Sequence, residues 1–372
     1  MFFQEYSRKI EEIHSNLLRY IEAEDNMEEN YQNLINLFQQ YKYDNDVHEL
    51  KIFLYSLTAI AKNHHRESNF FNKIKKVLQH LKNSIIQLFT NLEIFNIFKG
   101  SKLIILFLIQ EKVIIIDNII INVITKSGLL MSSYQYLIPE VEAFINEEEK
   151  KQNEISINEK IIHKKFNGLQ KDFYDKREIG ENDDYISEMI RKDLIEEFII
   201  FVKKENYSLI STIKPSIYEA NPLLIKKTPT LIEYAAFFGS VQIFKYLYLN
   251  EVELTPSLWI YGIHSDNPEI IHILEERKIL PRDKTYEECI KEAIKCHHND
   301  IANYIERDLL KKRNEDNFDK NILAYAFHFY NFTYFTSENY NHYIFNYACK
   351  YDYYKVAEYF LKTRKMYVKE TI

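Results

Sequence analysis

The chain has 372 residues, of which 46% are apolar and 28% charged. That is enough apolar material for a sizeable core, in about two to three domains or one elongated array, and it excludes wholesale disorder. Lys and Arg number 48 against 55 Asp and Glu, a net charge of −7, so a general nucleic-acid or anionic-membrane binder is not expected, although local basic patches stay open. The six glycines stand singly, at Gly100, Gly128, Gly168, Gly180, Gly239 and Gly262. Neither a phosphate loop nor a dinucleotide fingerprint can be written with them.

From the N-terminus, Ile10, Ile13, Leu17 and Tyr20–Ile21 recur at helical spacing, one apolar face of a helix. Glu5, Glu11 and Glu12 leave no apolar stretch for a secretory signal. After a polar break at Glu24–Asp25–Asn26, Tyr31, Leu34–Ile35 and Phe38 make a second face. Asp46-Val47-His48-Glu49 reads as a capping box, with Leu50, Phe53–Leu54, Leu57 and Ile60 behind it. Asn63-His64-His65-Arg66 then reads as a C-terminal helix cap, its cations opposed to the negative end of the helix dipole. Leu103 to Ile124 is strongly apolar but is interrupted by Gln110, Glu111, Lys112, Asp117 and Asn118. Two buried helices with a polar turn at 110–112 are expected rather than a membrane span. Strand is the alternative for Val113–Ile116 and Ile119–Val123, because β-branched runs are ambiguous. The reading is an N-terminal helical region over 1–145 and a charged connector over 146–182.

From 183 to 372 an internal repeat emerges. Thr228-Pro229-Thr230-Leu231 leads to Tyr234–Ala235, Gly239, Ile243 and Leu247; Thr255-Pro256-Ser257-Leu258 leads to Tyr261–Gly262, Asp266, Ile270 and Leu274, at a constant offset of 27. Cys289, Ala293, His297, Ile301 and Ile305 continue the frame at an offset of 31, and Ile344, Tyr347–Ala348, Asp352, Val356 and Phe360 fit again. A degenerate unit begins at Ile322 and Tyr325–Ala326, and a looser one contains Ile186, Met189–Ile190, Asp193, Phe198 and Phe201. Each copy spells a helix, a turn and a second helix. Thr-Pro is expected to supply the N-cap and first helical residue, small Ala or Gly to permit close helix approach, and Gly or Asp to end the first helix. Asn267-Pro268-Glu269 is a natural start for a second helix. One such pair cannot bury its apolar face alone, so neighbours must stack.

"TPTLIEYAAFFGSVQIFKYLYLN" and "TPSLWIYGIHSDNPEIIHILEE" resemble ankyrin repeats, without the signature histidine and with a spacing shorter than the usual repeat of about 33 residues. More narrowly, "KREIGENDDYISEMIRKDLIEEF", "KPSIYEANPLL", "IKCHHNDIANYI" and "NHHRESNFFNKI" resemble a family of trichomonad proteins that carry ankyrin-like repeats and a domain of unknown function. The resemblance implies an ankyrin-type solenoid and brings no activity or catalytic residues. The fold class expected is therefore all-α: an ankyrin-like α-solenoid of helix-turn-helix repeats with an N-terminal helical region.

Chemistry-bearing clusters are sparse. Cys289, Cys296, His297 and His298 lack a visible second pair of zinc ligands, and Cys289 fits a small core position. Cys296 and His297 are adjacent in sequence, poor geometry for a nucleophile and its base. The Lys311-Lys312-Arg313 run reads as a solvated helix end. Three cysteines are too few to staple the chain, so an intracellular, cytoplasmic setting is expected. No metal, cofactor or catalytic residue is expected. The function expected is a non-enzymatic protein–protein interaction module binding an unidentified protein, with Glu233, Phe237, Trp259, His264 and Lys291 as contact residues. The alternatives are a scaffold self-associating through its N-terminal helices and, last, an enzyme in an unfamiliar helical fold.

Overall fold

The computed structural model describes residues 2–66, 69–126, 135–152, 172–310, 315–334 and 341–363. Among the described residues all regular elements are helical, apart from one isolated antiparallel bridge, Thr212 to Thr230. No helix among them is long and apolar enough to cross a membrane. The helices are α1 (Phe2–Glu22), α2 (Met27–Tyr41), α3 (Val47–Asn63), α4 (Phe70–Leu88), α5 (Asn91–Phe98), α6 (Lys102–Gln110), α7 (Asn118–Lys126) and α8 (Ile138–Gln152). They continue as α9 (Phe173–Ile179), α10 (Tyr185–Arg191), α11 (Ile195–Lys204), α12 (Pro222–Lys226), α13 (Leu231–Phe238), α14 (Val241–Leu249), α15 (Leu258–Ser265) and α16 (Pro268–Glu276). The last are α17 (Glu287–Cys296), α18 (Asn299–Tyr304, extended by a π turn to Leu309), α19 (Glu315–Phe329), α20 (Asn341–Lys350) and α21 (Tyr354–Thr363).

Two compact units divide the chain, and they cut across the division read from the sequence. The first contains residues 1–84, 236–241 and 253–372; the second contains 85–235 and 242–252. The physical reason lies in the first unit's core. Tyr6 and Ile10 of α1 and Ile52 of α3 share one buried cluster with Leu323, Phe327, Phe332, Ile344, Val356 and Phe360, so the first helices close the apolar face of the last ones. Lys9 and Lys355 converge on the buried Glu49 carboxylate at 2.6 and 2.8 Å, and Lys355 also reaches Asp46 at 2.6 Å. Within this unit α15 packs on α16, α17 on α18 and α20 on α21, while α15, α17 and α19 lie side by side in chain order, with α3 also against α17. In the second unit, Arg177 is buried on α9 and grips Glu140 of α8 with two nitrogens at 2.8 and 2.9 Å.

The helix-turn-helix frame is written in the backbone. Asp193, Gly239, Asp266, His297 and Asp352 each take a left-handed conformation, with φ between 50° and 70°, and each stands between the two helices of a pair; Tyr330, φ 55°, takes the same conformation at the end of α19. At four of these turns the next residue's N–H reaches back five residues: Leu194 to Met189, His298 to Ala293, Asn331 to Ala326 and Tyr353 to Ala348, at 2.9–3.0 Å. This is the hydrogen-bond pattern of a Schellman C-cap, which satisfies carbonyls the helix leaves open. Asn267 accepts N–H bonds from Glu269 and Ile270 with Pro268 next, as read.

Three local expectations are corrected. Thr228-Pro229 does not start α13. Pro229 O accepts from Ile213 N, and Leu231 N donates to Ser211 O, which keeps the dipeptide extended, so Thr230 becomes the cap in a reciprocal bond with Glu233. Thr255 likewise precedes α15, in a turn with Ser257. At α3, Asp46 accepts from the N–H groups of His48 and Glu49, but Glu49 turns to the two lysines instead of closing the box. Residues 113–116 are neither strand nor helix: Lys112 is left-handed and Val113 N caps Leu108 O at 2.8 Å, which ends α6. Residues 153–171 of the connector and Lys311-Lys312-Arg313 lie outside the described residues.

Candidate functional site

Of the five contact residues read from the sequence, the structure leaves one in the open. Trp259 is buried, with Nε1–H donating to Ile279 O at 2.6 Å and its ring edge-on to Tyr286 at 5.1 Å. Phe237 is buried and stacks on His264, which is buried too, at 5.1 Å. Glu233 is half-buried and occupied as the Thr230 cap. A partner docking on the surface cannot reach the first three. The helical pattern alone does not say which face of a first helix meets the next pair, and here that face carries the aromatic residues. Lys291 is exposed on α17.

Around Lys291 lies a patch of cations and aromatic rings within the first unit. Lys291 Nζ sits 5.6 Å from the Tyr325 ring centroid. His328, exposed on α19, stacks on Tyr351 at 5.0 Å, and Lys350 Nζ lies 5.2 Å from the same ring. Desolvation lowers the His328 pKa, with Lys291 and Lys350 adding to it, so the ring is neutral at pH 7 and the fixed charge of the patch comes from the two lysines.

The first unit also gathers histidines that the sequence keeps far apart. α3 ends at Asn63, so His64 and His65 leave its C-terminus beside the α17–α18 turn that carries His297 and His298. His64 Nδ1 lies 2.8 Å from Cys296 O, and His298 Nδ1 lies 2.7 Å from Ile263 O. A carbonyl only accepts, so each Nδ1 carries a proton, and the ring nitrogen left over is Nε2. His298 Nε2 faces His65 Nδ1 at 3.0 Å and, more loosely, His65 N at 3.5 Å. The ligating nitrogens of His64, His65 and His298 all lie within 4.8 Å of one another. Burial, with His64 and His65 close by, lowers the His298 pKa well below its ordinary value. A neighbouring relay joins His297 Nδ1 to His14 Nε2 and His14 Nδ1 to Ser56 Oγ, both at 3.2 Å, and burial holds His14 neutral down to about 3. Of Cys289, Cys296, His297 and His298, only His298 joins this group, and its neighbours His64 and His65 stand more than two hundred residues upstream.

A third group looks like a nucleophile relay. Cys296 Sγ is 3.5 Å from His264 Nδ1, and His264 Nε2 is 2.6 Å from Glu292 Oε1, which Lys295 also contacts at 2.6 Å. The neutral imidazole donates from Nε2 to the carboxylate and accepts from the thiol. Burial works to raise the Glu292 carboxyl, but His264 and Lys295 outweigh it and keep it charged. Cys296 is buried, and burial together with Glu292 pushes its thiol well up. A protonated, buried thiol is no nucleophile, so the group acts as a polar clasp between α15 and α17.

In comparisons with family models, curated proteins and solved structures, nothing matches the chain.

Proposed function

We propose that the chain is a non-enzymatic protein-interaction module built on ankyrin-like helix pairs. The observation that carries this reading is the recurrence of one left-handed turn at the frame positions from Asp193 to Asp352. Serial pairs of this kind present their turns and first-helix side chains as an extended recognition surface. The contact patch is Lys291, Tyr325, His328, Lys350 and Tyr351. Tyrosine is among the residues that concentrate binding energy at interfaces, and two lysines call for an acidic segment in the partner.

The test uses the intact chain, because α1 and α3 share the core of the C-terminal helices and a fragment beginning at 183 would expose it. Tagged wild-type protein and the K291E/K350E variant are used to capture partners from the native extract, and captured proteins are quantified by mass spectrometry. A partner retained by wild type and lost from the variant supports the reading. Equal capture by both would refute the patch, and a chain that captures nothing above background would refute the module.

A further inference from the structure

We propose that His64, His65 and His298 form a binding site for a divalent transition-metal ion, zinc by ligand chemistry, that ties the end of α3 to the α17–α18 turn. Three imidazoles are the set that suits zinc. His64 and His298 are 2% and 3% exposed and His65 side-chain exposure is 16%, so the nitrogens are held in place and largely shielded from water.

Two features separate this group from ordinary packed histidines. The first is the outer hydrogen bonding. His64 and His298 each spend Nδ1–H on a backbone carbonyl, Cys296 O and Ile263 O. That is the arrangement that fixes the tautomer and orients metal-binding imidazoles. The second is His64 Nε2 itself, which is buried and makes no hydrogen bond; Glu22 Oε1 stands 3.4 Å away. A ring nitrogen withdrawn from water without a hydrogen-bond partner is costly, and a metal ion beside the Glu22 carboxylate gives it a partner.

The spacing fits. Tetrahedral zinc with Zn–N bonds of about 2.0–2.1 Å sets its nitrogens about 3.3 Å apart. The three nitrogens here span 3.0 Å, between His65 and His298, to no more than 4.8 Å, so adjustments of about an ångström close the set. On binding, the proton between His65 Nδ1 and His298 Nε2 is exchanged through solvent to His65 Nε2, so that His65 stays neutral and ligates through Nδ1, and a water molecule takes the fourth position. Charge favours a cation as well. Asp266 carboxylate oxygens stand 4.0 Å from His65 Nδ1 and 3.8 Å from His298 Nδ1. Asp266 also lines an open cleft of about 470 Å³ with Glu275 and Asp300 on its walls, an acidic approach to the site.

The purified full chain, stripped with a chelator, is titrated with Zn²⁺ and separately with Co²⁺, following heat release, melting temperature and visible absorption. We expect uptake of a single zinc ion, a rise in melting temperature with added zinc, and the intense d–d bands of four-coordinate cobalt. His65→Ala, at the most exposed of the three positions, folds and weakens zinc binding by about tenfold or more; His298→Asn does the same where it folds. Wild-type protein without zinc uptake at micromolar metal, or H65A binding zinc as wild type does, overturns the site. Loss of zinc in Glu292→Gln with retention in H65A also overturns it, by placing the ion on His264, Glu292 and Cys296.

Discussion

Gly180 and Gly239 share one backbone conformation, φ +71° and +70°, and differ in what surrounds them, so alanine at each separates strain from packing. An added Cβ at Gly239 meets Asn267 and Ser265 atoms at 3.5 Å, ordinary contact; at Gly180 it falls 2.4, 2.8 and 2.9 Å from three carbons of Leu103. Leu103 is buried and cannot swing into solvent. The left-handed conformation costs a non-glycine residue about 1–2 kcal/mol, and forcing a methyl into a filled core costs about 1–3 kcal/mol more. Gly239→Ala should therefore lose about 1–2 kcal/mol and Gly180→Ala about 2–5 kcal/mol in urea unfolding. In a Leu103→Ala background the space opens, and Gly180→Ala should fall back to about 1–2 kcal/mol, a coupling that a double-mutant cycle reads directly. Equal losses at the two glycines, or a Gly180→Ala loss that Leu103→Ala leaves unchanged, would refute the packing argument.

The Asp46–Lys355 contact predicts a pH dependence. Burial raises the Asp46 carboxyl, but the Lys355 ammonium and the N–H groups of Glu49 and His48 outweigh it and hold the pKa below its ordinary value. A carboxyl lowered in the folded state adds stability above its unfolded pKa, and that contribution disappears as pH falls through the folded value. Lys355→Met should therefore flatten the loss of stability between about pH 5 and pH 2, followed by urea midpoints; an acid slope identical to wild type rules the contact out as its source. Trp259 is the single tryptophan and is buried with its N–H bonded to Ile279 O, so emission should be blue-shifted and resist acrylamide quenching. Trp259→Phe should cost about 1–3 kcal/mol by leaving that carbonyl without its donor, and a solvent-like emission spectrum would contradict the burial.

How much of this was readable depends on range along the chain. Helix faces such as Ile10, Ile13, Leu17 and Ile21 are local patterns, and all four are buried. The turn frame was readable too, although glycine survives only at Gly239. Asp, His and Tyr occupy the same left-handed position elsewhere, and the 3.5 Å clearance at Gly239 shows why: the turn leaves room for a Cβ, so conformational strain is the only cost, and Asp or His bears it readily. Gly180 lacks that clearance. Which side of a first helix meets its neighbour was not readable, because Trp259 and His264 satisfy a surface pattern and a buried one equally until Ile279 O and Glu292 are found within 2.6 Å of their nitrogens.

The histidines make the limit plainest. His64-His65 and His297-His298 are each, in sequence, an unremarkable helix end, and both do end helices at Asn63 and Cys296. What brings His65 and His298 to 3.0 Å across 233 residues is the core: α3 packs on α17, and two helix C-termini that meet side by side bring their capping residues together. The capping reading and the metal reading are consequently two levels of one arrangement. The backbone carbonyls of Cys296 and Ile263 take the Nδ1 protons of His64 and His298, and that same bond leaves Nε2 of each ring as the nitrogen a metal would use.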